Sequence, residues 1–374
     1  MPTTGASVRC PSRQQPAEMA APTTDELAER IFGALLGTVD ILSVFLGDRL
    51  GWYRSLASDG PATPLELADR TATHARYARE WLEQQAVTGF LALDHPDDDP
   101  DARVYSIPSA TAEVMTDETS LSYLAPFARM FAAVGPQLPD LLGAYRTGGG
   151  VSWDQLGTEA RESQADGNRP WYQHRLAEAL AGVPQVHEAL SAPGAVIADV
   201  GCGAGWSSIA LAKAYPDATV EGFDIDAPSV AMATANAAAQ GVDDRVRFTA
   251  GDAAGMPSGR FAAAFAFECV HDMPDPVGVL RAARASLAPG AFMVVMDEAV
   301  AEDFAPHGDE LERVMYGFSL LVCLPDGMSA PGSVGTGTVM RPATLRRYAQ
   351  EAGFTGFEVL PIEEFGFWRF YLLS

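Results

Sequence analysis

Lysine is nearly absent. Of 25 basic residues, 24 are arginine and Lys213 is the sole lysine. Against them stand 49 acidic residues, so the formal net charge is 25 − 49 = −24. Such a chain lacks the clustered cations that neutralise a phosphate backbone, which disfavours nucleic acid as a partner. Cysteine is scarce as well. Cys10, Cys202, Cys269 and Cys323 are scattered with no CxxC pair. That excludes a disulfide framework and a zinc ribbon and suits a reducing compartment. No uninterrupted run of 18 apolar residues occurs, so no membrane-spanning helix is expected. Residues 1–22 are rich in Pro, Thr, Ala and Ser and lack the apolar core of a signal peptide. A disordered leader on a cytoplasmic protein is the expectation. What remains is ordinary: 374 residues, 48% hydrophobic, enough for two cores.

A long helical pattern opens at Asp25, with Leu27, Ile31, Leu35, Val39, Leu42 and Phe45 near 3.6-residue spacing, and extends to Leu56. A short helix at 64–70, a longer one at 74–88 and two β-like runs at 90–94 and 103–107 follow, the last two around an Asp- and Pro-rich loop. This order is that of a winged helix, placed at 23–118. A DNA-reading role would set the second helix in the major groove. Here Arg76 and Arg79 are offset by Glu80 and Glu83, and the tip carries Asp94, Asp97, Asp98, Asp99 and Asp101. A dimerisation or lid module is the better expectation. Residues 119–190 read as a helical linker or lid, broken at Gly148-Gly-Gly and at Gly167-Asn-Arg-Pro, with Trp153, Trp171 and Tyr172 beside the breaks.

From Gly194 strands and helices alternate, which implies a mainly parallel sheet with crossover helices. Strands are expected at 195–200, 219–223, 246–250, 262–267, 291–296, 356–361 and 367–373, and helices at 206–214, 228–240, 276–287 and 342–352. Only residues 362–366 separate the last two strands, so they must pair antiparallel. The first strand runs into Gly201, Gly203 and Gly205 and then a helix; the glycines let backbone approach a ligand that a Cβ would exclude. The spacing is G-x-G-x-G, not the pyrophosphate-binding G-x-G-x-x-G. The next strand ends at Asp224, suited to ribose hydroxyls, and the third at Asp252, suited to an adenine amino group.

With these motifs, residues 191–374 resemble the class I S-adenosylmethionine-dependent methyltransferases. The resemblance implies an α/β fold: a seven-stranded Rossmann-like sheet, last strand antiparallel, behind a mostly helical winged-helix front. It also implies S-adenosylmethionine as cofactor. Asp199, Gly201 and Gly203 would surround its methionine part, Asp224 its ribose, and Asp252 and Ala253 its adenine. Gly205, Ile225 and Glu268 complete the expected cofactor set.

Strand four leads into His271-Asp272 and strand five into Glu298, both at the edge where ligands bind. His271 can accept a proton near neutrality, with Glu298 fixing its tautomer. This arrangement is similar to plant-type small-molecule O-methyltransferases, in which a histidine deprotonates a phenol and the front domain forms the homodimer. Met273 departs from that family's aromatic. A closer likeness is to actinobacterial methyltransferases with winged-helix fronts and the run from Tyr316 to Gly327. His271, Asp272 and Glu298 are thus the expected catalytic set, with Trp171, Tyr172, Tyr316 and Met328 facing a small, largely apolar acceptor. Residues 313–340 would form a pocket wall with a glycine-rich lid. One related branch C-methylates 2-oxo acids with a metal on His, Asp and a second His; the second His is absent near Cys323, so no metal is expected. The rival from another class is a metabolite-sensing winged-helix regulator.

Overall fold

In a computed structural model, residues 21–374 are described; the expected leader, apart from residues 21 and 22, and Cys10 lie outside them. Two compact units result, one ending at Asp40 and one spanning Ile41–Ser374.

The front is helical: α1 (Thr24–Arg49), α2 (Trp52–Ser58), α3 (Pro64–Thr71) and α4 (Ala75–Thr88), then the short strands β1 (Ala92–Leu93) and β2 (Tyr105–Ser106). The single helical stretch expected to Leu56 is two helices, because Gly51 at φ 71° reverses the backbone between them. α3 opens on a full capping box, Thr63 with Glu66. By length and composition α1 is apolar enough to cross a membrane. The uninterrupted apolar run is still shorter than 18 residues, because Asp40 interrupts it without making the helix polar.

Next come α5 (Ser109–Thr116), α6 (Ala125–Val134), α7 (Leu138–Thr147), α8 (Trp153–Trp171), α9 (Ala177–Ala181) and α10 (Pro184–Leu190). Gly148-Gly-Gly does end a helix, but Gly167-Asn-Arg-Pro does not; α8 runs straight through it. At Gly167 a Cβ would meet the Phe127 ring at 3.4 Å, an ordinary contact, so the residue is compatible with the helix. The backbone departs from helical geometry at Gly157 instead. Behind Pro170, whose missing N–H loosens the ladder, residues Tyr172–Leu176 form a π-helical turn.

The sheet holds β3 (Val196–Val200), β4 (Thr219–Asp224), β5 (Val246–Ala250), β6 (Phe261–Phe267), β7 (Leu287–Glu298), β8 (Phe357–Val359) and β9 (Trp368–Leu373), in the order β5-β4-β3-β6-β7-β9-β8. Only the pairs made by β9 are antiparallel. Its crossovers are α11 (Trp206–Ala214), α12 (Ala227–Ala239), α13 (Pro276–Ser286), α14 (Glu310–Phe318), α15 (Leu324–Met328) and α16 (Pro342–Ala352). β7 starts earlier than expected, directly at the end of α13. Alternate residues serve two cores: Ala263, Phe265 and Phe267 join one cluster, Ala264 and Ala266 the other. Strands buried on both faces need such continuous apolar runs. The order reverses between β3 and β6, so their carboxyl ends frame the crevice where ligands of such sheets bind.

Candidate active site

The turn after β3 carries Gly201, Gly203 and Gly205 at φ 70°, 49° and 79°, a region only glycine enters freely. At Gly201 a Cβ would strike Cys269 Sγ at 2.7 Å, and at Gly205 the Phe248 ring at 2.6 Å. At Gly203 it would meet nothing, so the space above that residue is open to a ligand. Asp199 is fully buried; Ser207 and Ser208 both donate to its Oδ2 at 2.6 Å, tying the turn to α11. Its Oδ1 has no partner, and burial pushes its pKa up to about 6. Asp224 accepts from Gly203 N–H and Asp226 N–H, each at 2.8 Å. Asp252 is exposed and caps the turn through Ala254 N–H at 2.7 Å, beside buried Ala253. Ile225 is exposed. An open cradle, an orphaned buried carboxylate oxygen and a carboxylate at the next strand end fit S-adenosylmethionine.

His271 is buried in a helical turn after β6. It does not cap α13; Asp275 does so through Gly278 N–H at 2.8 Å. The ring lies between carboxylates. Nδ1 is 2.9 Å from Asp297 Oδ1 and 3.2 Å from Glu298 Oε2, and Nε2 is 3.2 Å from Asp272 Oδ1. Asp297 is therefore nearer than the expected partner Glu298, and sequence reasoning passed over it although the two are adjacent at the end of β7. Burial opposes a charged ring, yet Asp272, Asp297 and Glu298 outweigh it and raise the pKa of His271 well above the ordinary histidine value. Burial raises Glu298 as well, against the pull of His271.

Two further residues were not foreseen here. Cys323, in a second π-helical turn (Ser319–Cys323), groups with His271 and Asp272, their ligand atoms all within 4.8 Å of one another. Asp326 lies beyond it, pushed up to about 7 by burial and by Asp272. The glycine-rich stretch is packed against the site: Gly337 N–H donates to His271 O at 3.1 Å, and a Cβ on Gly335 would strike Met328 Sδ at 2.7 Å. Tyr172 is buried with its ring 5.7 Å from that of Phe267. Trp171 instead packs against Phe365 at a tilt and Trp368 edge-on, and Tyr316 is exposed near Arg341.

α8 spans the crevice from above. Arg161 grips Asp226 with Nε and Nη2, both at 2.7 Å, and Arg169 lies 4.4 Å over the Trp206 ring. Gln164 donates to Glu268 Oε2 at 3.1 Å, and Asn168 donates to the same oxygen. Burial, and then Glu298, push the Glu268 carboxyl up to about 8. No local sequence signal pairs residues a hundred positions apart.

Sheet order, glycine turn and crevice together define the architecture of a class I methyltransferase behind a winged-helix front. Residues 191–339 match the family described as Methyltransferase domain, and residues 38–117 that described as Rv2258c-like winged HTH domain. The chain thus carries a methyltransferase domain joined to a winged helix-turn-helix domain. It is 34% identical over 142 residues to 27-O-demethylrifamycin SV methyltransferase of Amycolatopsis mediterranei (strain S699), covering 37% of this chain and 50% of that protein. The chain spans half the length or less of the curated relatives it matches. Its fold is shared with mitomycin 7-O-methyltransferase (21% identity, TM-score 0.69, 93% of this chain and 97% of that one). Human N-acetylserotonin methyltransferase in complex with SAM is similar too (16%, TM-score 0.69, 95% and 99%).

Proposed function

We propose that the protein is an S-adenosylmethionine-dependent methyltransferase that methylates an oxygen of a small, largely apolar acceptor. The observation that carries this reading is buried His271, held through Nδ1 by Asp297 and Glu298, at the same sheet edge as the open glycine turn. Relatives named for 27-O-demethylrifamycin SV and for the mitomycin 7-oxygen support an oxygen acceptor.

When bound, the cofactor supplies an electrophilic methyl group. Asp199, Gly201, Gly203, Gly205, Asp224, Ile225, Asp252, Ala253 and Glu268 are the residues we assign to holding it. At His271, Nδ1–H donates to Asp297, which leaves Nε2 as the working nitrogen. Asp272 faces that nitrogen from a side chain 34% exposed, so an acceptor hydroxyl can displace it. Losing one of three carboxylates lowers the proton affinity of the ring towards the range a base requires. The hydroxyl proton then passes to Nε2, and Asp297 and Glu298 stabilise the imidazolium. Alignment supplies the rest of the rate. Tyr172 and Met328 border the acceptor in this reading, with Trp171 and Tyr316 further out.

A second reading is favoured by Cys323, which stands beside His271 and Asp272 where sequence offered no second histidine. Nitrogen, carboxylate and thiolate donors suit zinc or iron, which would polarise an acceptor carbonyl, as in C-methylation of a 2-oxo acid. Calorimetric titration with S-adenosylmethionine and S-adenosylhomocysteine, with metal analysis of the same sample, separates these readings. Micromolar binding without stoichiometric metal supports the His271 base. Stoichiometric zinc or iron moves the assignment to the second reading. Binding of neither nucleoside ends both.

The acceptor is the only small-molecule partner we assign, and nucleic acid is not one. Arg76 is paired with Glu80, Arg79 with Asp101, and the wing tip is a row of exposed aspartates. We also propose domain limits of 23–118, 119–190 and 191–374. For α1 we propose a second copy of this chain as cover. Ile31 is 70% exposed and Phe32 60%, with Leu35, Leu36 and Val39 alongside, and a contiguous apolar stripe of this kind suits a protein–protein contact. Light scattering should give twice the chain mass, falling to one chain mass for Ile31→Glu with Leu35→Glu.

A further inference from the structure

Glu268 combines three features that packing alone does not explain. Its φ is 55°, in the left-handed region that a residue with a side chain resists. Its partners are neutral amides: Gln164 and Asn168, two residues one turn apart on α8, converge on Oε2. Among the described residues no arginine or lysine pairs with the carboxyl group, and its remaining hydrogen-bonding neighbour is the neutral Trp368 indole. A half-buried acid held by neutral donors is aimed but has no fixed counter-charge, so it keeps its proton until a cation arrives.

Its place in the fold says what neutralises it. Glu268 N–H donates to Met296 O at 2.8 Å, continuing the β6–β7 pairing to the carboxyl edge. The next residue, Cys269, donates to Val200 O at 3.2 Å and fills the space where Gly201 lacks a Cβ. Glu268 therefore stands one residue from the glycine turn. At its methionine end, a ligand there with a sulfonium and an α-ammonium offers one group that donates hydrogen bonds, the ammonium; its ribose and adenine donors belong to the ends of β4 and β5 in this reading.

We propose that Glu268 receives the α-ammonium group of the cofactor's methionine portion, and that Asn168 and Gln164 are the positioning residues that aim it. This rests on the S-adenosylmethionine reading above. It makes recognition of the amino-acid end conditional on the seating of α8, a helix outside the glycine-turn motif. The nucleoside end is recognised independently.

Two ligands isolate the interaction: S-adenosylhomocysteine, which carries the ammonium, and 5′-methylthioadenosine, which lacks the amino acid. Both are titrated by calorimetry into the wild type and Glu268→Gln. The variant should bind S-adenosylhomocysteine about 10- to 100-fold more weakly, the scale of a charged hydrogen bond, and 5′-methylthioadenosine within about twofold. Asn168→Ala and Gln164→Ala should each weaken S-adenosylhomocysteine roughly three- to tenfold, with no further loss on top of Glu268→Gln. Equal losses for both ligands, or unchanged S-adenosylhomocysteine binding, would overturn the assignment. A loss from Asn168→Ala that persists in the Glu268→Gln background would overturn the positioning role. A wild type that binds neither nucleoside would instead remove the cofactor reading on which the inference stands.

Discussion

The wing tip and the crevice are both crowded with carboxylates, and they use them in opposite ways. At the wing, Asp94, Asp97, Asp98, Asp99 and Asp101 are exposed; water solvates them, and Asp101 also meets Arg79. In the crevice, Asp199, Asp297 and Glu298 are buried and Asp272 and Glu268 partly so; His271 is the ring that Asp272, Asp297 and Glu298 share. Hydrated charge is nearly neutral to stability and repels other anions at a distance. Buried charge is costly until a partner arrives. The same residue type is therefore solvated in one region and left in need of a partner in the other.

The largest effect should come from the cation of the crevice. His271→Ala is expected to lower turnover by about 10²- to 10⁴-fold, the range of a lost general base, with nucleoside affinity unchanged. The assay takes the best acceptor from a panel of phenols, amines and 2-oxo acids; unaltered turnover would end its role as base. Gly203→Val should weaken S-adenosylhomocysteine about 100-fold, since a side chain would enter the open space in a backbone state it resists. Affinity retained in that variant would place the ligand elsewhere.

Stability against pH sharpens the contrast further. Glu268 is pushed up to about 8 and Asp326 to about 7, while the unfolded chain releases the same protons near the ordinary carboxyl values of 4.5 and 3.8. The folded state thus holds protons that the unfolded state has lost. Its stability is complete below the ordinary carboxyl range and declines as pH rises through 7 to 8. The melting temperature without nucleoside should fall by several degrees between about pH 5 and 8.5, and Glu268→Gln should flatten that slope. A rising or flat curve in the wild type would contradict this account. The smallest effect belongs to the wing. Replacing Asp97, Asp98 and Asp99 by Asn should shift stability by no more than about 0.5 kcal/mol and leave nucleoside binding alone. A large shift in either would erase the distinction between the two regions.

Local pattern made much of this legible. The glycine turn needs backbone that only glycine supplies, and the strands from β3 to β9 need apolar runs that stand out between helices. His271 was legible too, because a strand end at the binding edge is a place that chain order alone specifies. The N-terminal half was less so. Gly167-Asn-Arg-Pro has the composition of a break, yet α8 continues through it because α8 packs along α6.

What sequence by itself determined is the sheet, the cofactor turn and the acidic balance, since each depends on the period, spacing or sum of residue types along the chain. Only the tertiary structure decided which carboxylate holds His271, that Cys323 joins His271 and Asp272, and that Asn168 and Gln164 reach Glu268. The physical reason is distance along the chain. Asn168 and Glu268 are separated by 100 positions and Cys269 and Val200 by 69. Such contacts arise from how α8 and the β6 edge pack, and no periodicity in either segment encodes its partner.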